Sequence, residues 1–282
     1  MGGGRQAPLR GNEDLRLEPG FDCASKFMPD ALALISGFDF LAQGERHLIG
    51  RIQGRSYANM LRLLRFTGTD RERQTLLRRV DAMMAACMPL GYCFVPDPAV
   101  VAGMIQRRSA WSVLALNCLV DLLVRAHYGL SMDPDPALDS LWQAVFHFRR
   151  EEESSRMTLD ELQWRGANTQ LDEAGRDRAV GDLIGLIGVL DGIVQAQAKA
   201  DAGYFSLASG RKLERSELAR VGAGLLHAYR WQYILCGVQV PHFSALLGSM
   251  LNRSQYGRVA AALAPLFDGS AVPQVHVQSR RK

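Results

Sequence analysis

Three acids stand together in the stretch REEESSRMTLDEL: Glu151, Glu152 and Glu153. Arg156 follows three residues after the last of them. The preceding run, LWQAVFHF, is aromatic and apolar, so a helix is expected to turn here towards a core. At 3.6 residues per turn, Leu141, Val145, Glu152, Arg156, Leu159 and Gln163 share one broad face, flanked by Trp142, Phe146 and Glu153. On that spacing Glu152 or Glu153 points inward. A carboxylate buried alone is costly, so it requires a metal, a cation or a proton. Asp121 makes the same demand, because it sits mid-helix among Leu119, Val120, Leu122 and Leu123. Carboxylates brought together from separate helices can hold iron, and a pair of iron ions wants about four hard carboxylates completed by imidazoles.

Other chemistry is weaker in the sequence. His127, His147 and His227 lie in helical stretches with apolar neighbours, where each reads first as a core or surface histidine. His47 follows Glu45 by two residues, and residues so spaced point apart on a helix. GLIGVLDG lies inside a helical pattern with no strand before it, so it fails as a nucleotide loop. Ser154 and Ser155 have no nameable base beside them. Arg46, Arg51, Arg55, Arg62 and Arg65 line one early helix, with 51, 55 and 62 on one face. That face reads as solvated, or alternatively as an interface for an anionic partner. Methionines and tryptophans such as Met83, Trp142, Trp164 and Trp231 read as core or as the lining of an apolar pocket.

Helical elements must position these residues. The 282-residue chain is 48% hydrophobic, with 33 basic and 29 acidic residues and a net charge of +4. Such a mildly basic, mixed balance does not imply nucleic acid. Helical spacing predicts segments over about 43–66, 70–87, 109–128, 137–165, from 177, 214–236 and from 242 to 267, with a short one from 99. Thr69-Asp70-Arg71-Glu72 has the order of a capping box for the second of these. Glycines at 181, 185, 188 and 192 predict close approach of another helix. No period-two strand stands out. The expectation is one all-α domain over 30–267, with a flexible N-terminal segment over 1–29 and a flexible basic tail over 268–282. MGGGRQAPLRGNED has no apolar core for a signal peptide, and the apolar runs are broken by Asn117, Asp121 or Asp191. The five cysteines include no CxxC and read as reduced thiols, so a cytoplasmic protein without membrane contact is expected.

Four stretches carry a resemblance: IQGRSYANM, FRREEESSRMTLDELQW, VLDGIVQAQ and HAYRWQYILCGVQVPHF. They resemble a bacterial family of ferritin-like, di-iron carboxylate proteins. The resemblance implies a ferritin-like helical bundle with additional C-terminal helices. It also implies metal ligands, and these carry over only in part: Asp121, Glu152 and Glu153 match, whereas Arg156 and Arg65 stand where a His and a Glu are expected. The second-helix Glu-x-x-His has no match; Asp70 and Arg73 fall there. Both arginines are therefore expected to pair with core acids in place of a metal. The implied function is a degenerate member without its dimetal centre, acting as a scaffold or partner subunit, with no cofactor. One alternative is an oxygenase-type oxidoreductase with an atypical iron or manganese site acting on an apolar small molecule. Another is a binding protein that uses the bundle core for a small molecule. A protein partner or homo-oligomer is expected in the first case.

Overall fold

The computed structural model describes residues 26–27, 36–65, 71–132, 135 and 137–267, and at 61, 64, 65, 71–73, 131, 132 and 148–155 the backbone alone. The segments 1–25 and 268–282 lie outside the described residues. Lys26 and Phe27, within the segment expected to be flexible, are anchored. Lys26 pairs with Asp135 at 2.8 Å, its carbonyl accepts from the Asp139 amide at 2.9 Å, and Phe27 is buried.

The described chain is all-α. Its helices are α1 Gln43–Arg65, α2 Arg71–Cys87, α3 Pro98–Gln106, α4 Ala110–His127, α5 Ser140–Thr169, α6 Glu173–Ala208, α7 Arg215–Arg230, α8 Cys236–Val238, α9 Pro241–Met250 and α10 Arg253–Phe267. A π-helical turn, Tyr128–Met132, continues α4, and a second, Trp231–Leu235, joins α7 to α8. No strand occurs among the described residues, only an isolated bridge between Lys26 and Leu138.

Local chemistry sets the helix starts. The Asp97 carboxylate caps α3 ahead of Pro98, Asp139 caps α5, and Asp172 accepts from Gly175 to cap α6. Each satisfies an amide that the first turn leaves without a partner. Glu214 and Glu217 form a reciprocal capping box at α7. The stretch from 242 to 267, predicted as one helix, is two. Leu251 is extended, and Asn252 and Gln255 then exchange side-chain to backbone hydrogen bonds at 3.1 and 2.9 Å to open α10. The Thr69 cap expected for α2 lies outside the described residues.

α4 and α6 form the centre. α4 packs against α5 along the most extensive interface in the molecule, and also against α6, α8 and α9. α6 packs against α7, α10, α1 and α3, while α2 lies across α1 and α5. Contrary to the sequence expectation, α4 with its extension (Ala110–Leu130) and α6 are long and apolar enough to cross a membrane by length and composition. Their central place accounts for that apolarity. In α4, every residue from Cys118 to Val124 is buried, Asp121 included.

Tryptophans choose the buried face of α5. Trp142, Val145, Phe146 and Trp164 are buried, whereas Leu159 and Leu162 are exposed at 56% and 62%. Trp164 packs edge-on against Trp111 of α4 at 5.3 Å and lies against Phe243. Each buried indole removes ~150–250 Å² from water, or about 4–6 kcal/mol of transfer free energy at ~25 cal/mol per Å². That outweighs the smaller residues 141, 159 and 163, and the face predicted from them is not the inward one.

The glycines of α6 also behave differently from expectation. Around Gly188 and Gly192 no heavy atom would lie within 4 Å of an added Cβ, and at Gly185 such an atom would meet the Arg108 guanidinium, not a helix. Close approach occurs elsewhere. A Cβ at Gly237 of α8 would lie 2.7 Å from Leu123 Cβ and 3.0 Å from the Leu119 carbonyl oxygen, both on α4. Gly237→Ala is therefore expected to lower unfolding stability by about 1–3 kcal/mol. Gly188→Ala and Gly192→Ala should each raise it by about 0.5–1 kcal/mol. Denaturant melts of the three variants test this, and the opposite ranking would show that the helices pack otherwise.

Candidate functional site

The structure brings α4, carrying Asp121, and α5, carrying Glu152 and Glu153, into direct contact. Asp121 is fully buried. The side chains of Glu152, Glu153 and Arg65 lie outside the described residues. Arg156 is exposed, at the surface of α5 and not in the core. Among the described residues, no group of three or more His, Cys, Asp or Glu side chains is placed to hold a metal ion. An arginine has no lone pair to offer in its place. Of the three acids that the resemblance implies as ligands, only Asp121 has a described side chain.

Polar groups of another kind fill the middle of the bundle. On α1, Gln53, Ser56 and Tyr57 fall within one turn and are buried. The Tyr57 ring meets Phe146 at 4.7 Å, His127 at 6.2 Å, Tyr233 at 6.2 Å and Trp142 at 6.3 Å. One aromatic thus gathers α1, α4, α5 and the second π turn. The α1 backbone comes close here because residue 54 is glycine, where a Cβ would sit 2.8 Å from the Trp142 ring. His127 closes α4 immediately before the first π turn, and Gln232 and Tyr233 lie within the second. Gln232 Nε2 and His127 Nε2 are 3.3 Å apart. With the amide donating, the imidazole proton resides on Nδ1. Burial keeps His127 neutral by pushing its pKa down to about 3.

A second, better satisfied network adjoins the first through Ser56, whose hydroxyl lies beside the phenols of Tyr92 and Tyr233. The Asp201 carboxyl of α6 accepts from the Tyr229 hydroxyl at 2.5 Å and from Gln197 Nε2 at 2.8 Å. Gln197 also ties down the non-helical segment between α2 and α3. Its Oε1 accepts from the Val95 amide at 2.9 Å, and its Nε2 reaches the Tyr92 hydroxyl and the Cys93 carbonyl at 3.3 Å. Tyr204 donates to the Pro89 carbonyl of the same segment. Burial raises the Asp201 carboxyl to about 7, against the hydrogen bonds from Tyr229, Gln197 and Tyr92, which favour its charged form. Sequence reading missed Asp201. Its setting, QAQAKADAGYF, looks like a polar face, yet Val194, Gln197, Ala198, Asp201 and Phe205 recur at helical spacing and are all buried.

The remaining expectations resolve individually. Two arginines of α1 are engaged within the chain, where Arg55 and Arg62 clasp Asp81 of α2 at 2.6 and 2.7 Å. Arg51 is half-buried. His147 is exposed and His227 half-buried, so neither joins His127. Cys118 and Cys236 are buried free thiols and Cys93 an exposed one, but Cys87 is disulfide-bonded, so the cysteines are not all reduced.

In comparisons with known proteins, the chain matches no family model, no curated protein and no solved structure. The class shown is an all-α bundle whose core holds polar as well as aromatic side chains.

The two titrating core groups make opposite demands. The folded state holds the Asp201 proton more tightly than the unfolded chain does, so its share of stability falls as pH rises from about 4 to about 7. Neutral His127 contributes stability that is lost as pH falls from about 6.5 towards 3. Asp201→Asn removes only the first term. Its stability relative to the parent should rise across pH 4 to 7.5, by up to about 4 kcal/mol for a shift of about three units. Urea melts of both proteins at several pH values read this directly, and a pH-independent difference would place the carboxyl in a solvated setting.

Proposed function

We propose that the chain is a ferritin-like bundle that has given up its dimetal centre and works by binding, as a scaffold or partner subunit, without redox chemistry of its own. The observation that carries this reading is the identity of the core polar groups. Tyrosine, glutamine, serine and a neutral histidine converge around Tyr57, whereas a dimetal site requires several carboxylates and imidazoles. Arg156, in the place of an expected ligand, is exposed and cannot coordinate a metal. With this reading go a protein partner or a second copy of the chain and a bacterial, cytoplasmic setting. The Cys87 disulfide is the feature that fits a reducing compartment least well.

One observation favours the second reading, an oxidoreductase with an iron or manganese site built on Asp121, Glu152 and Glu153. Asp121 is fully buried on the very helix that packs against α5, the helix that carries Glu152 and Glu153.

Metal analysis separates the two. The protein purified without chelators is expected to hold no stoichiometric iron or manganese, and Arg156→His to gain none, because a single imidazole supplies too few donors. Near-stoichiometric metal that disappears in Asp121→Asn would establish the oxidoreductase reading instead. Arg156→Ala should also change stability by about 1 kcal/mol or less, as for an exposed charge. A loss of about 3–5 kcal/mol would mean that the arginine sustains a buried acid.

A further inference from the structure

Buried polar atoms without a protein partner collect around Tyr57. Gln53 is 3% exposed, and both ends of its amide lack a hydrogen bond. His127, 1% exposed, has no partner for Nδ1, and Gln232, 2% exposed, has none for Oε1. The indole nitrogens of Trp142 and Trp231 are in the same condition. Trp142 and Tyr233 touch the Tyr57 ring, and Trp231 packs edge-on against His127 at 5.6 Å. Native cores leave few such groups, because each costs about 1–3 kcal/mol. Several in one layer mean that something other than protein satisfies them.

We propose that this layer is a binding site for a small, neutral, planar molecule that carries both a hydrogen-bond acceptor and a donor, of the lactam or cyclic-amide class. The inference rests on the reading of the core as a binding site and not a redox site. The inventory of unsatisfied groups sets the ligand's chemistry. Donors are in excess: the indole N–H groups, the Gln53 amide nitrogen and His127 Nδ1. The Oε1 atoms of Gln53 and Gln232 are the complementary acceptors. A carbonyl beside an N–H answers both kinds at once. The Tyr57, Phe146 and Trp142 rings provide flat apolar walls, which suit a planar ring. Charge is disfavoured. Among the described residues, none of these unsatisfied groups is an Arg or Lys that could meet an anion, and the Asp201 carboxyl near Tyr233 already accepts from Tyr229 and Gln197.

Two features of the backbone support a site over a packing defect. His127 ends α4 at one π turn, and Gln232 and Tyr233 belong to another. A π turn departs from the α-helical register at a cost and recurs where side chains are re-aimed for function. The non-helical segment carrying Tyr92 lies against Ser56 and is held by side chains of α6, not by a backbone ladder.

The test uses the full-length protein and three probes: 2-quinolinone as the neutral lactam, naphthalene as the same shape without polar atoms, and quinoline-2-carboxylate as the anion. Quinolinone is expected to raise the melting temperature and quench tryptophan fluorescence saturably, with the other two binding at least about tenfold more weakly. Gln53→Met and Gln53→Leu should weaken quinolinone binding by about tenfold or more. Both should leave the melting temperature of the unliganded protein unchanged or higher, because each removes an amide that lacks a partner. Failure of quinolinone to bind, equal binding by the variants, or tighter binding of the anion overturns the proposal. So does a fall in the melting temperature of both unliganded variants, which would mean that resident water already satisfies these groups. Metal content measured on the same preparation keeps the outcomes apart. Stoichiometric iron would overturn the non-redox reading, whereas absence of quinolinone binding in metal-free protein overturns this site alone.

Discussion

The structure depends on how α6 disposes of its aspartates. Asp177 receives Gln255 of α10 at 2.9 Å, and Asp182 receives the Ser109 amide at the start of α4 at 2.9 Å. Asp191 is held in a two-point fork by Arg230 of α7 at 2.7 and 3.0 Å, and Asp201 by Tyr229 of the same helix. The most apolar long helix of the molecule is thus joined to its neighbours through carboxylates. Asp191 and Asp201 are buried, and their burial without partners would cost more than the helix gains, so each specifies which element lies beside it. The fork at Asp191 sets the rotation of α7, and that rotation delivers Tyr229 to Asp201 and turns Trp231, Gln232 and Tyr233 into the core.

Satisfied and unsatisfied polarity therefore lie side by side. Around Asp201 nearly every donor and acceptor has a protein partner, and the arrangement is rigid. One turn of α1 before Tyr57, at Gln53, the protein presents an amide that it does not itself complete. A core selected for stability alone would replace such groups with apolar residues of similar volume, which is close to neutral or stabilising. Such groups, together with two π turns in the same layer, are the physical ground for the proposed binding site.

The surface arginines of α1 illustrate a different economy. Arg55 and Arg62 span two turns and converge on Asp81, so a charged stripe is spent on holding α2 to α1. An electrostatic role outside the molecule is correspondingly reduced. Partly exposed pairs of this kind are individually weak, about 0.2–1 kcal/mol, and they contribute mainly orientation.

The sequence by itself determined the helices. Apolar spacing at 3.6 and the breaks at Pro89 and Gly91 are local signals, and most spans follow from them within a few residues, the stretch from 242 to 267 excepted, where Leu251 divides one expected helix into two. Tertiary structure alone decided which polar residues matter. Asp201 meets Tyr229 across 28 positions, Asp81 meets Arg55 across 26, and His127 meets Gln232 across 105. No periodicity within one helix encodes such pairings. The inward face of α5 was likewise decided by Trp111 and Phe243 on other helices, because a long helix offers several plausible stripes and only the surface packed against it selects one.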